Sequence, residues 1–260
     1  MHMESASSGP LTRRRFVRLT AGSIGALAAG SACVVSTRSV EEMDGRLTAR
    51  PRPGIATSLK SGPLGIGGAR DGIVQMPSVV PAGKVPLLVF LHGASQSGAS
   101  TLRRISGPAE ESGVAVIAPD SRGTTWDAIR GAFGEDVAFL NRVLEFVFDR
   151  LDVDPARIAI GGFSDGASYG LSLGLANGQL FTRITACSPG FVIQAPAQGR
   201  PRVFVSHGKA DQILPIDVCS RVIVPRLRSM GYEVTFREFD GRHELPPDIA
   251  SEAMRWTAAG

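Results

Sequence analysis

What most constrains this chain is an alternation that starts near residue 73: short, almost wholly apolar runs separated by amphipathic stretches of helical length. Strands are predicted over 73–76, 85–91, 114–118, 157–162, 184–187, 203–206 and 234–239, the strongest being the VPLLVFL run of 85–91. Helices are predicted over 100–112, 135–151, 165–176 and 247–257, with a further one beginning at Leu214-Pro215. In the second of these, Val137, Leu140, Val143, Leu144 and Val147 fall on one face at three- and four-residue spacing. Strands apolar along their whole length must be covered on both sides. Alternation with helices therefore implies an α/β fold, a mostly parallel central sheet with helices on both faces.

The 260 residues suit one domain and a leader. Residues 1–33 carry four arginines and one glutamate, and without them 24 basic and 23 acidic residues remain. So near-neutral a domain gives no case for a nucleic-acid partner. Arg13-Arg14-Arg15-Phe16 precedes a short, weakly apolar stretch that ends in small residues, and it resembles a twin-arginine export signal. Residues 1–33 are therefore read as an export leader, which implies a periplasmic or extracellular protein. Cys33 follows Gly30-Ser31-Ala32 and is a candidate for lipidation and membrane attachment, simple cleavage nearby being the other reading. Residues 34–61, with Arg50-Pro51-Arg52-Pro53-Gly54, read as a linker or loosely packed arm, and 62–260 as the catalytic domain. Cys187 and Cys219 are expected as two unpaired buried thiols, a disulfide between them, which export would permit, being the other reading.

In such sheets chemistry collects beyond the carboxyl ends of the strands. After 157–162 comes Gly162-Phe163-Ser164-Asp165-Gly166, a G-x-S-x-G set between a strand and a helix, which makes Ser164 a candidate nucleophile. Of four histidines, His2 lies in the leader, while His92 and His207 each end a strand before a glycine and are expected to shape turns. His243 follows the last strand and is the candidate base. Asp211, just after the penultimate strand, is the candidate acid that fixes the imidazole tautomer, with Asp240 as its rival. Oxyanion donors are expected from the backbone N–H groups of Asp165 and of Ala94, the latter in the loop His92-Gly93-Ala94-Ser95-Gln96. Ser95, Gln96, Trp126 and Phe191 are candidate substrate contacts, with Ile193 a further one beside Phe191. A phosphate cradle in the same loop is excluded by the missing Lys-Ser/Thr.

The segments LHGASQSG, GGFSDGAS, SHGKAD and GRH, in that order from about residue 73 to the end, resemble the α/β-hydrolase superfamily. Within it the chain is similar to the phospholipase/carboxylesterase and dienelactone-hydrolase-like group, and next to polyhydroxybutyrate-depolymerase-like and feruloyl esterases. Dienelactone hydrolases proper use a cysteine where Ser164 stands. The resemblance implies a serine esterase that needs no cofactor and no metal, with a small-molecule or polymeric ester as its partner. Residues 189–202 are too few for a helical lid, so no cap domain is expected, and an open cleft would suit short-chain, aryl or polymeric esters. The same triad also serves serine peptidases and acyltransferases, and an inactive surface-binding protein is the reading from a different class.

Overall fold

The run Val85–Leu91 forms a strand in which every residue is buried, and the rest of the fold is arranged around it. The computed structural model describes residues 44–80 and 83–259. Its strands are β1 (Gly62–Pro63), β2 (Gly72–Gln75), β3 (Val85–Leu91), β4 (Ala115–Pro119), β5 (Val153–Phe163), β6 (Arg183–Cys187), β7 (Arg202–Gly208) and β8 (Val234–Phe239). Its helices are α1 (Gly98–Glu111), α2 (Asp127–Arg130), α3 (Glu135–Phe148), α4 (Asp165–Ala176), α5 (Ser220–Ser229) and α6 (Pro247–Ala258). The strands join one sheet in the order β1-β2-β4-β3-β5-β6-β7-β8. From β4 to β8 all pairings are parallel, and the antiparallel pairings, β1–β2 and β2–β4, lie at one edge.

Side chains of β3 alternate between two cores, as the strand period requires. Leu87, Val89 and Leu91 belong to one core, which also holds Val137, Leu140 and Val143 of α3, Leu171 of α4 and Ile223 of α5. Leu88 and Phe90 pack on the other face with Leu102 and Ile105 of α1 and Ala250 and Met254 of α6. Each parallel neighbour is reached through a helix except β7, because residues 188–201 form no helix and no named strand. Nothing in that connection caps the sheet.

Two expectations need correction. The helix expected at Leu214-Pro215 begins at Ser220 instead. There the Leu214 N–H is bound to the Asp211 carboxylate, and the Pro215 carbonyl accepts from Val218 and Cys219 in a turn, so the chain cannot yet enter a helical ladder. The single turn α2 was not expected, since four residues carry no readable period. The described part of the 34–61 arm is anchored rather than loose. Leu47, Ala49 and Leu59 are buried, Asn177 donates to the Gly45 carbonyl and accepts from the Leu47 N–H, and Asn141 accepts from Thr48 and Ala49. Cys187 and Cys219 are buried free thiols. The segment expected to be a leader, including Arg13, Arg14 and Cys33, lies outside the described residues. Among those described, no helix is long and apolar enough to cross a membrane.

Candidate active site

Ser164 occupies a single-residue turn between β5 and α4, at φ 59° and ψ −122°. A non-glycine residue in that region costs roughly 1–3 kcal/mol and persists only where its surroundings enforce it. Here the Ser164 N–H donates to Cys187 of β6, and the Ser164 carbonyl accepts from Ala167 and Ser168 at the start of α4. The flanking glycines are required by close approach. A Cβ on Gly166 would lie 2.3 Å from the Leu91 carbonyl oxygen, and one on Gly162 would lie 2.5 Å from the Gly166 backbone. Strand, turn and helix can therefore meet only without those side chains, which leaves Ser164 Oγ projecting above the sheet.

His243 reaches it from the loop after β8. Its Nε2 lies 2.8 Å from Ser164 Oγ and its Nδ1 2.6 Å from Asp211 Oδ2. The imidazole packs beside the Phe163 ring at 4.8 Å and keeps 15% of its side chain exposed, whereas the Asp211 side chain is fully buried. Asp211 Oδ1 accepts from the N–H groups of Ile213 and Leu214. Burial works to raise the Asp211 pKa, but the Leu214 N–H, the His243 imidazole and the Ile213 N–H outweigh it and hold the carboxyl below its ordinary range. Asp240 is placed elsewhere: it pairs with Lys209 at 2.9 Å and is 91% exposed.

The loop after β3 passes beside the serine, since a Cβ on Gly93 would lie 3.3 Å from Ser164 Cβ. His92 fixes that loop. Its Nε2 accepts from the Ser121 N–H, so Nδ1 carries the proton and donates to the Gly93 carbonyl at 2.7 Å. Burial lowers the His92 pKa, which favours this neutral form. With the peptide trans, the Ala94 N–H points opposite to the bound Gly93 carbonyl. Among the described residues, neither the Ala94 nor the Asp165 N–H has a backbone acceptor in a turn or loop. Ser95, at φ 57°, donates its N–H to Thr124, and the Gln96 N–H closes the turn onto Gly93. Thr125 donates to the Asp165 carboxylate at 2.6 Å, a contact that sequence spacing gave no hint of.

The profile of the phospholipase/carboxylesterase family matches residues 136–258, which hold Ser164, Asp211 and His243. A probable feruloyl esterase C of Aspergillus oryzae is 27% identical over 159 residues, 57% of this chain and 57% of the relative. Feruloyl esterase C of Emericella nidulans is 31% identical over 102 residues, 39% of this chain and 37% of the relative. The chain thus spans 57% and 37% of the length of these two curated relatives. Among solved structures, esterase PE8 superposes with a TM-score of 0.59 at 22% identity, over 71% of this chain and 96% of that one. The Bacillus cereus carboxylesterase gives 0.58 at 19% identity, over 74% and 94%. The chain has the α/β-hydrolase fold.

In this fold Trp126 does not form a cleft wall. It is fully buried under the loop after β3, stacks on Tyr169 at 5.2 Å, and donates its indole N–H to the His92 carbonyl. A large ring with one donor is better satisfied there than at a wet surface. Phe191 is 42% exposed and, with Ile193, lines an apolar groove of about 680 Å³ between α4 and α5, alongside Val222, Leu227 and Met230. Ser164, Asp211 and His243 do not line that groove. Among the described residues, no group of three or more His, Cys, Asp or Glu side chains is arranged to hold a metal.

The segment carrying Trp126 is tied down by a buried carboxylate. Asp136 accepts from the N–H groups of Arg122 and Asp127, while Asp127 accepts from the Asp136 N–H and the Tyr169 hydroxyl. Burial pushes the Asp136 pKa up to about 6, the adjacent Asp127 charge adding to the rise and the two N–H donors opposing it. A carboxyl raised by folding contributes most when protonated, so its contribution is lost as pH climbs from its unfolded value through about 6. Relative to Asp136→Asn, the native protein is expected to lose up to about 3 kcal/mol of stability between pH 4 and 7. Urea unfolding of both proteins across that range measures it, and a constant difference between them would refute the assignment.

Proposed function

We propose that this protein is an exported serine carboxylesterase acting through an acyl-serine intermediate. The observation that carries the reading is the unbroken hydrogen-bond chain from Ser164 Oγ through His243 to the buried Asp211 carboxylate. In this mechanism Ser164 Oγ attacks the ester carbonyl and its proton passes to His243 Nε2. Asp211 accepts the Nδ1–H and stabilises the imidazolium. The Ala94 and Asp165 N–H groups receive the developing oxyanion, the second at the N-terminus of α4, where the helix dipole favours negative charge. The tetrahedral species then collapses, and the departing alkoxide leaves as an alcohol with the proton from His243. A water molecule next attacks the acyl-serine, giving its proton to the same nitrogen, and the acid departs as the proton returns to Ser164.

Short-chain, aryl and polymeric esters are the substrates this reading favours. The capless connection over residues 188–201 supports it, and so does the likeness to proteins named feruloyl esterases. The test is hydrolysis of p-nitrophenyl esters from acetate to palmitate. Activity falling with chain length is expected, and feruloyl and polyester substrates would follow. Turnover of none of these by folded protein would sink the proposal, and a maximum at palmitate would sink the substrate preference.

A further inference from the structure

His207 is a second histidine at the acid. It sits near the end of β7 with its side chain fully buried, and the reaction above gives it no part. Its ring nitrogens have three partners: Nδ1 lies 2.7 Å from Ser220 Oγ, and Nε2 lies 2.8 Å from the Leu214 carbonyl and 3.2 Å from Asp211 Oδ2. A carbonyl oxygen has no proton to give, so Nε2 carries the hydrogen and Nδ1 accepts from the Ser220 hydroxyl. The ring is then a neutral donor to the Leu214 carbonyl, with Asp211 Oδ2 beside the same nitrogen at 3.2 Å. Burial lowers its pKa, in keeping with that form; the ionisable groups around it are Asp211, whose charge opposes the lowering, and His243, which adds to it.

These contacts close a ring of bonds around the carboxylate. Asp211 Oδ1 is held by the N–H groups of Ile213 and Leu214, while the Leu214 carbonyl is held by His207. Oδ2, the oxygen that meets His243, has His207 as its other neighbour. Remove the Nε2–H and a buried carbonyl loses its donor, the turn over 211–214 loses its outer tie, and Oδ2 loses the contact opposite His243.

We propose that His207 is a positioning residue which, as a neutral Nε2–H donor, holds Asp211 and the turn around it in the arrangement that receives His243 Nδ1. The inference rests on the reading of Asp211 as the acid of the triad. His207 touches no substrate, so its loss acts on turnover and not on binding.

The experiment compares His207→Leu, His207→Asn and His207→Gln in the full chain. Misplacing a reacting group by about 1 Å costs on the order of a hundredfold. Accordingly His207→Leu is expected to lower kcat on p-nitrophenyl acetate by about 30- to 100-fold with KM within about threefold. A Gln amide reaches the position of Nε2 and is expected to recover most of kcat. The shorter Asn amide does not reach, and is expected to be as impaired as Leu. Should Leu fail to fold, the Gln–Asn contrast carries the test. The downfield proton resonance of the His243–Asp211 bond provides a readout without substrate, expected in native and Gln proteins and absent from Leu and Asn. Equal kcat in Gln and Asn, a loss carried by KM, or an unchanged resonance in Asn would each overturn the proposal. A native protein that turns over no ester yet shows this resonance pattern would defeat the esterase reading and leave His207 in its role.

Discussion

Ser164→Ala is expected to reduce ester hydrolysis by roughly four orders of magnitude or more, down to the contribution of the oxyanion donors and binding alone. It is also expected to leave the fold intact, and that combination makes the result decisive. The Oγ has one side-chain partner, His243, at 2.8 Å, and a partly exposed hydrogen bond contributes only about 1 kcal/mol net. The backbone at φ 59° is as strained for alanine as for serine, so the substitution neither releases that strain nor adds to it. The turn itself is held by backbone bonds to Cys187, Ala167 and Ser168, which alanine keeps. Turnover of p-nitrophenyl acetate and covalent labelling by a fluorophosphonate should therefore vanish together while the thermal midpoint stays within a few degrees. More than a tenth of native activity in the variant would remove Ser164 from the mechanism.

How far such a site can be read from sequence depends on whether the determining contacts are local. The strands over 85–91 and 234–239 and the helix over 165–176 are found with the ends their periodicity predicts, because apolar runs and helical faces are set within each segment. The glycines flanking Ser164 are legible from the G-x-S-x-G pattern, although the contact that requires Gly166, the Leu91 carbonyl, is distant in sequence. The arm near residue 47 was misread because its anchor, Asn177, lies 130 residues away and no local pattern announces it. The position of Trp126 after a strand makes it a candidate substrate contact and leaves plain packing equally open; the His92 carbonyl, 34 residues earlier, is what fixes it inside. His207 was read as a turn residue because it precedes a glycine. Its contact with Asp211, four positions on, exists only because the turn over 211–214 folds back, the same event that delays α5.

The choice of acid shows the same contrast between distance along the chain and distance in space. Asp240 stands three residues from His243 and Asp211 thirty-two, yet the imidazole meets Asp211. Asp211→Asn is expected to lower kcat by about 10³–10⁴-fold, with Asp240→Asn within about twofold of the native protein. In the first variant the amide oxygen must take the Oδ1 position, because Ile213 and Leu214 both donate there. The amide nitrogen is then left facing His243 Nδ1 and His207 Nε2, where the native oxygen stood. To meet a donor, His243 must present an unprotonated Nδ1 and carry its hydrogen on Nε2, and that tautomer cannot take the proton of Ser164. The second variant disturbs only a surface contact with Lys209, both partners well exposed, where an ion pair contributes little. Measured kcat values for the two, with far-ultraviolet dichroism to establish folding, separate the candidates. A large loss in Asp240→Asn beside a near-native Asp211→Asn would transfer the acid to Asp240 and require the loop over 240–243 to rearrange when substrate binds.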